Sequence, residues 1–307
     1  MECKVLRAVF REKKDFLGGQ HKTEFTIDNP SPMRITVEQG GIRTITIMTE
    51  TDISVRGLYS VFSRLERLLM IFDGRFIPLF GLEFLDSNTS TDEQLLIYAK
   101  HCFGYRLSYY NSVDFCSYNV NKLLDFDSVL TKELYQKWES ILEELDVVHQ
   151  MFLYSLCGSG QPVDIKCAFL IELAEPLVEI LKEYKHYFEE LEPGKQGTTL
   201  KDCLKALIEK CGISIFSDEL SGDRDKFYQV LRNSRVRIMH IKRKKDWGYF
   251  DNLESVLYSV KMCLLYRQII FELLDINSIE YHDDLRKCVS YWNRWNDVLP
   301  NFLLKLK

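Results

Sequence analysis

The 307-residue sequence has no apolar run approaching the roughly 20 residues that span a bilayer. Its opening stretch, MECKVLRAVFREKK, carries charge where a leader peptide needs an uninterrupted apolar segment. No membrane span and no signal peptide are therefore expected, and the chain reads as cytoplasmic. The nine cysteines, at 3, 102, 116, 157, 167, 203, 211, 263 and 288, form no Cys-x2-Cys pair and make an odd total. That pattern fits neither a zinc site nor a disulfide framework, so they read as reduced, mostly buried thiols. There is no Gly-rich phosphate loop, because FLGGQ and CGSGQP lack the Lys-Ser/Thr pair or the strand-to-helix setting. No His-Glu-x-x-His occurs, and the carboxylates of ESILEEL and YFEELE are spaced like solvated helix faces. The run HDD at 282–284 reads as a helix cap rather than a metal site. No metal or cofactor is expected. Internal repeats and low-complexity tracts are also missing, and a composition 46% hydrophobic and 13% aromatic excludes a disordered chain.

Before residue 125 the sequence alternates and is rich in β-branched residues. CKVLRAVF, KTEFTID, MRITVEQ and RTITIMTE, separated by turn signals such as DNPSP and EQGG, predict strands of an antiparallel sheet. LYSVFSRLERLLMIF (58–72) predicts one amphipathic helix, with Leu58, Phe62, Leu65, Leu69 and Phe72 on its apolar face, and RFIPLFGLEFLD after it reads as extended. Residues 84–125 mix one helical pattern, DEQLLIYAKHCF, with Tyr-rich stretches and are left unassigned.

From about residue 131 the period becomes helical. Helices are predicted over 131–156, over the whole of PVDIKCAFLIELAEPLVEILKEYKHYFEEL (162–191), over 199–212, 223–240 and 251–275, and in one Trp-bearing piece from 280 to 306. The fold class is thus α+β: a β-rich domain over 1–125, then a helical bundle over 126–307.

One segment stands out chemically. RNSRVRIMHIKRKK (232–245) holds seven Lys or Arg and one His, with no acid until Asp246, in a chain of net charge −5. Helical spacing puts Phe227, Val230, Leu231, Ser234, Ile238 and Ile241 on one face and leaves Asn233, Arg237 and His240 as a polar stripe, flanked by Arg232 and Arg235. The closing cations Lys242, Arg243, Lys244 and Lys245 also suit the negative end of the helix dipole. Guanidinium groups bind phosphate oxygens through paired donors, and an imidazole beside them can move a proton near neutral pH. Among the six histidines, His240 is the one whose neighbours point to chemistry.

Arg235 to His240, RVRIMH, is similar to the R-x4-H form of the R-x4-6-H motif of the HEPN superfamily, helical-bundle domains many of which are endoribonucleases that need no metal. YQKWESILEELDVVHQMFLYSL, with Lys137 and Trp138, resembles the opening helix of the ApeA-type, anti-phage members. FLIELAEPL, with Ala174 and Glu175, resembles the next helix, and the strand-rich part resembles their N-terminal domain. The position after the motif arginine, commonly Asn, Asp or His in the family, is Val236, and Asn233 one turn earlier could substitute for it in space.

The resemblance implies a defence endoribonuclease of the abortive-infection type. The RNA 2′-hydroxyl attacks its own phosphate, with His240 as general base or acid and Arg235, helped by Arg237, stabilising the phosphorane. In the family the carboxylate matching Glu175 lies near the arginine and orients it. Arg232 and Lys242 to Lys245 would hold flanking backbone, and Trp247 or Tyr249 would stack an unpaired base. Expected partners are transfer or messenger RNA, a second copy in a homodimer or higher even oligomer, and a trigger derived from an infecting phage. Residues 1–125 would then sense or restrain. A non-catalytic helical module that binds RNA or protein through the same basic face stays open as the alternative.

Overall fold

The computed structural model describes residues 2–10, 21–29, 31–39, 42–75, 77, 79–85, 120–157, 161–192, 199–241 and 248–307. The helical pattern at 92–103 and the tyrosine-rich stretches after it lie outside the described residues. The protein is α+β, an antiparallel five-stranded sheet followed by helices, and it divides into two compact units. The first comprises residues 1–119 and 124–140, the second 120–123 and 141–307.

In the first unit the strands are β1 (Glu2–Phe10), β2 (His21–Asn29), β3 (Ser31–Gln39), β4 (Arg43–Ser54) and β5 (Leu79–Leu85), in the order β2-β3-β4-β1-β5. Alternation explains the buried face: Met33, Ile35 and Val37 of β3 and Ile45 and Ile47 of β4 are all inside. In β1 Cys3 and Leu6 are both buried although three residues apart, and the register shift between Cys3 and Val5 is what reconciles them. Helix α1 (Val55–Asp73) packs on β1 and β4, with all five residues of its expected apolar face buried. Ser54 caps its start by accepting from the Gly57 N–H, and Gly74, at φ 65°, closes its end in the left-handed region that glycine adopts without strain.

A short turn of helix, α2 (Phe126–Val129), and the first residues of α3 (Lys132–Cys157) also belong to this unit. Arg43 and Asp127 form a fully buried ion pair at 3.1 Å. Trp138 is buried here, its Nε1 donating to the Arg64 carbonyl at 2.8 Å. The expected start of this helix at Thr131 has a local cause, the Thr131 hydroxyl accepting from the Leu134 N–H.

In the second unit the helices after α3 are α4 (Val163–Glu172), α5 (Ala174–Lys185), α6 (Leu200–Cys211), α7 (Ile213–Leu220), α8 (Arg224–Met239), α9 (Asn252–Leu273), α10 (His282–Asn293) and α11 (Val298–Leu306). Helix α9 is apolar nearly all round, and α4, α6, α7, α10 and α11 pack against it. Helix α8 lies against α4 and α6.

Two expectations are corrected, and one helix is added to them. The single helix over 162–191 is two, broken at Leu173, because Pro176 has no N–H to offer the Glu172 carbonyl and its ring crowds that carbonyl, and the second stops at Lys185, with His186 at φ 54°. The last helix is also two, separated at Asn296 and Asp297, whose φ values of 51° and 53° no α-helix contains. Helix α7, which the sequence reading leaves unassigned, follows α6 after Gly212, where a Cβ would come within 3.1 Å of the Ile208 backbone. Among the described residues no helix is long and apolar enough to cross a membrane. Cys3, Cys167, Cys203, Cys211, Cys263 and Cys288 are free thiols, and burial pushes Cys167, Cys211 and Cys263 up to about 12.

Candidate active site

Helix α8 starts from Asp223, whose side chain accepts from the Lys226 N–H, and runs to His240, whose N–H bonds the Val236 carbonyl at 3.1 Å. The chain then turns through Ile241, at φ 52° and 86% exposed. A β-branched residue in the left-handed region is strained by contact between its Cβ and the following carbonyl.

Arg235 is held on two sides. Its Nε and Nη2 meet the two carboxylate oxygens of Glu172, the last residue of α4, in a paired contact. Its Nη1 lies 2.9 Å from His240 Nε2. A guanidinium cannot accept, so Nε2 must supply the lone pair and the ring proton of neutral His240 sits on Nδ1. Of five guanidinium N–H groups three are engaged among the described residues, which leaves one on Nη1 and one on Nη2 for a ligand.

The carboxylate that grips the arginine is thus Glu172, and sequence reasoning chose Glu175, one helical turn further on. Both lie in FLIELAEPL, and the break at Leu173 is what separates their directions. Burial first, and then the charge of Glu172, pushes the Glu175 carboxyl up from its ordinary value, against the pull of Arg235. Glu175 is therefore an electrostatic neighbour of the arginine and not its anchor.

The expected polar stripe does not form as a unit. Asn233 is buried, and its Oδ1 accepts from Gln229 Nε2 at 2.7 Å while its Nδ2 donates to the Gly248 carbonyl at 3.2 Å. Arg232 Nη1 reaches the same Oδ1 at 3.5 Å. Val236 is buried as well, so neither Asn233 nor Val236 is open to a ligand beside Arg235 and His240. Ile241, expected on the apolar face, is instead at the surface. The reason is the return of the chain: residues 248–250 cross α8 on the side of Asn233 and Ser234. Ser234 Oγ donates to the Val230 carbonyl and accepts from the Phe250 N–H at 2.9 Å. Arg237 is exposed, its guanidinium carbon 3.9 Å from the Tyr249 ring centre. Lys242, Arg243, Lys244, Lys245 and Trp247 lie outside the described residues.

Elsewhere, Asp283 and Asp284 pair with Arg286 and Lys287 one turn on, as residues of a solvated helix start do. Comparison with protein-family models, with curated proteins and with solved structures finds no match to this chain.

Proposed function

We propose that the second unit is an endoribonuclease of the HEPN type that works without a metal, and that the chain serves an anti-phage, abortive-infection defence. The observation that carries this reading is the contact between Arg235 Nη1 and His240 Nε2, made on an exposed helix end with the arginine already fixed by Glu172. An acceptor nitrogen and two unused guanidinium donors at one point suit in-line attack by a 2′-hydroxyl. Arg235 Nη1 turns from His240 Nε2 to the phosphate as substrate enters, the freed Nε2 takes the hydroxyl proton, the 2′ oxygen bonds phosphorus, and the bond to the 5′ oxygen breaks. The products are a 2′,3′-cyclic phosphate and a 5′-hydroxyl end, and the leaving oxygen takes up one proton. Arg235 donates to the non-bridging oxygens where negative charge builds.

Arg237, Arg232 and the basic run 242–245 supply positive charge for the RNA backbone, transfer or messenger. One copy offers one imidazole, whereas the step uses a base and an acid, so a homodimer with its basic segments facing each other would supply both. The defence role, the cytoplasmic location and the sensing role of residues 1–125 rest on the resemblance to ApeA-type proteins. Purified protein incubated with mixed RNA in EDTA should leave 2′,3′-cyclic ends, and His240→Ala should not. A second reading has one observation in its favour: Glu172 already neutralises Arg235, as suits a module that binds RNA without cutting it. Binding with no cleavage in the same assay would select that reading.

A further inference from the structure

Tyr249 is 38% exposed, yet the residues on both sides of it are pinned. The Gly248 carbonyl accepts from Asn233, and a Cβ on Gly248 would stand 3.3 Å from Val230, so the backbone lies close against α8. The Phe250 N–H is held by Ser234, and the Phe250 ring stacks on Tyr258 with centroids 4.1 Å apart and planes 6° from parallel. Tyr249 is consequently an aromatic surface on a rigid mount, with the Arg237 guanidinium 3.9 Å from its centre. Among the described residues no carboxylate pairs with Arg237.

Resting on the ribonuclease reading, we infer that Tyr249 and Arg237 form a stacking platform for one unpaired RNA base beside the scissile phosphate, which restricts the substrate to single-stranded RNA. Arg237 sits about 200° round the helix from Arg235, and His240 lies between them. The platform therefore serves a nucleotide on the flank and not the reacting one. The strand must bend around a helix end about 10 Å across to touch both. A flexible single strand does so, and a duplex does not. Planar guanidinium and phenol offer a face to any base, so the platform sets strandedness with little preference for sequence. Asn233 and Ser234 are positioning residues for it.

The test uses full-length protein carrying His240→Ala, so that RNA survives, and a short unstructured oligonucleotide with a fluorescent adenine analogue that stacking quenches, alone or annealed to its complement. The parent should bind the single strand with quenching and the duplex more weakly. Tyr249→Ala should lose affinity for the single strand on the order of 5- to 150-fold, the range of one stacked base, together with the quenching. Tyr249→Phe should keep both, and melting curves should show all three folded. Equal affinity and quenching in the parent and Tyr249→Ala overturn the platform while leaving the ribonuclease reading standing. Failure of every version to bind any RNA overturns both.

Discussion

Arg235 Nη1 and His240 Nε2 stand 2.9 Å apart across five residues, and the contact lasts only while the imidazole keeps a lone pair on Nε2. The contact fills the one in-plane lone pair of Nε2, so in the proposed reaction it must open before that nitrogen can take a proton from an incoming hydroxyl. His240→Ala should lower RNA cleavage about 100-fold or more, the scale of a positioned proton acceptor. His240→Gln keeps an acceptor but no base and should fall as far. Arg235→Lys keeps the charge but loses the fork that reaches Glu172 and His240 together, and it should fall as well. Single-turnover rates on a labelled RNA decide these outcomes.

Glu175 gives a pH test. Its folded-state value is raised, so its contribution to stability is present in acid, below the unfolded value, and is lost as pH rises through the folded value. Glu175→Gln should therefore be at least as stable as the wild type at neutral pH, and its stability should change less between weakly acidic and neutral solution. Denaturant titrations at several pH values measure both. An unchanged pH dependence would remove Glu175 from the electrostatics of the site.

Val236 decides between two views of the motif. If it stood at the catalytic surface in place of a polar residue, Val236→Asn would raise activity. Because it is buried at 7% exposure, the variant should instead lose about 1–3 kcal/mol by burying an amide without partners, and gain no cleavage.

Deeper in the second unit, Lys261 Nζ lies 2.6 Å from Glu219 Oε1, both side chains fully buried, and the Tyr258 hydroxyl donates to the same oxygen at 3.0 Å. Burial pushes the Lys261 amine down from its ordinary value, against the pull of Glu219, and Glu219 Oε2 has no hydrogen-bond partner among the described residues. Lys261→Met should cost about 3–5 kcal/mol by stranding a buried carboxylate. Adding Glu219→Leu should return most of that loss, which a double-mutant cycle would show.

Local rules carried the sequence reading a long way. Alternation located four strands, the fifth falls in the stretch read only as extended, and the Thr131 cap and the α1 stripe placed their helices where sequence spacing put them. What escaped depends on partners distant in sequence. Asn233 looks like a surface residue on a helical wheel until Gly248 returns to cover it. Glu172 and Glu175 share one periodicity, and only the break before Pro176 distinguishes them. Nothing local announced α7, because its eight residues are too few to establish a period.

The staples at Asn233 and Ser234 have a consequence for how such a molecule can diversify. They hold the backbone at Gly248 and Phe250 against α8, so the place of Tyr249 between them is set by two residues of the helix and not by its own side chain. Exchange of the side chain at 249 would therefore change the surface presented there and leave its mount and the helices beneath it constant.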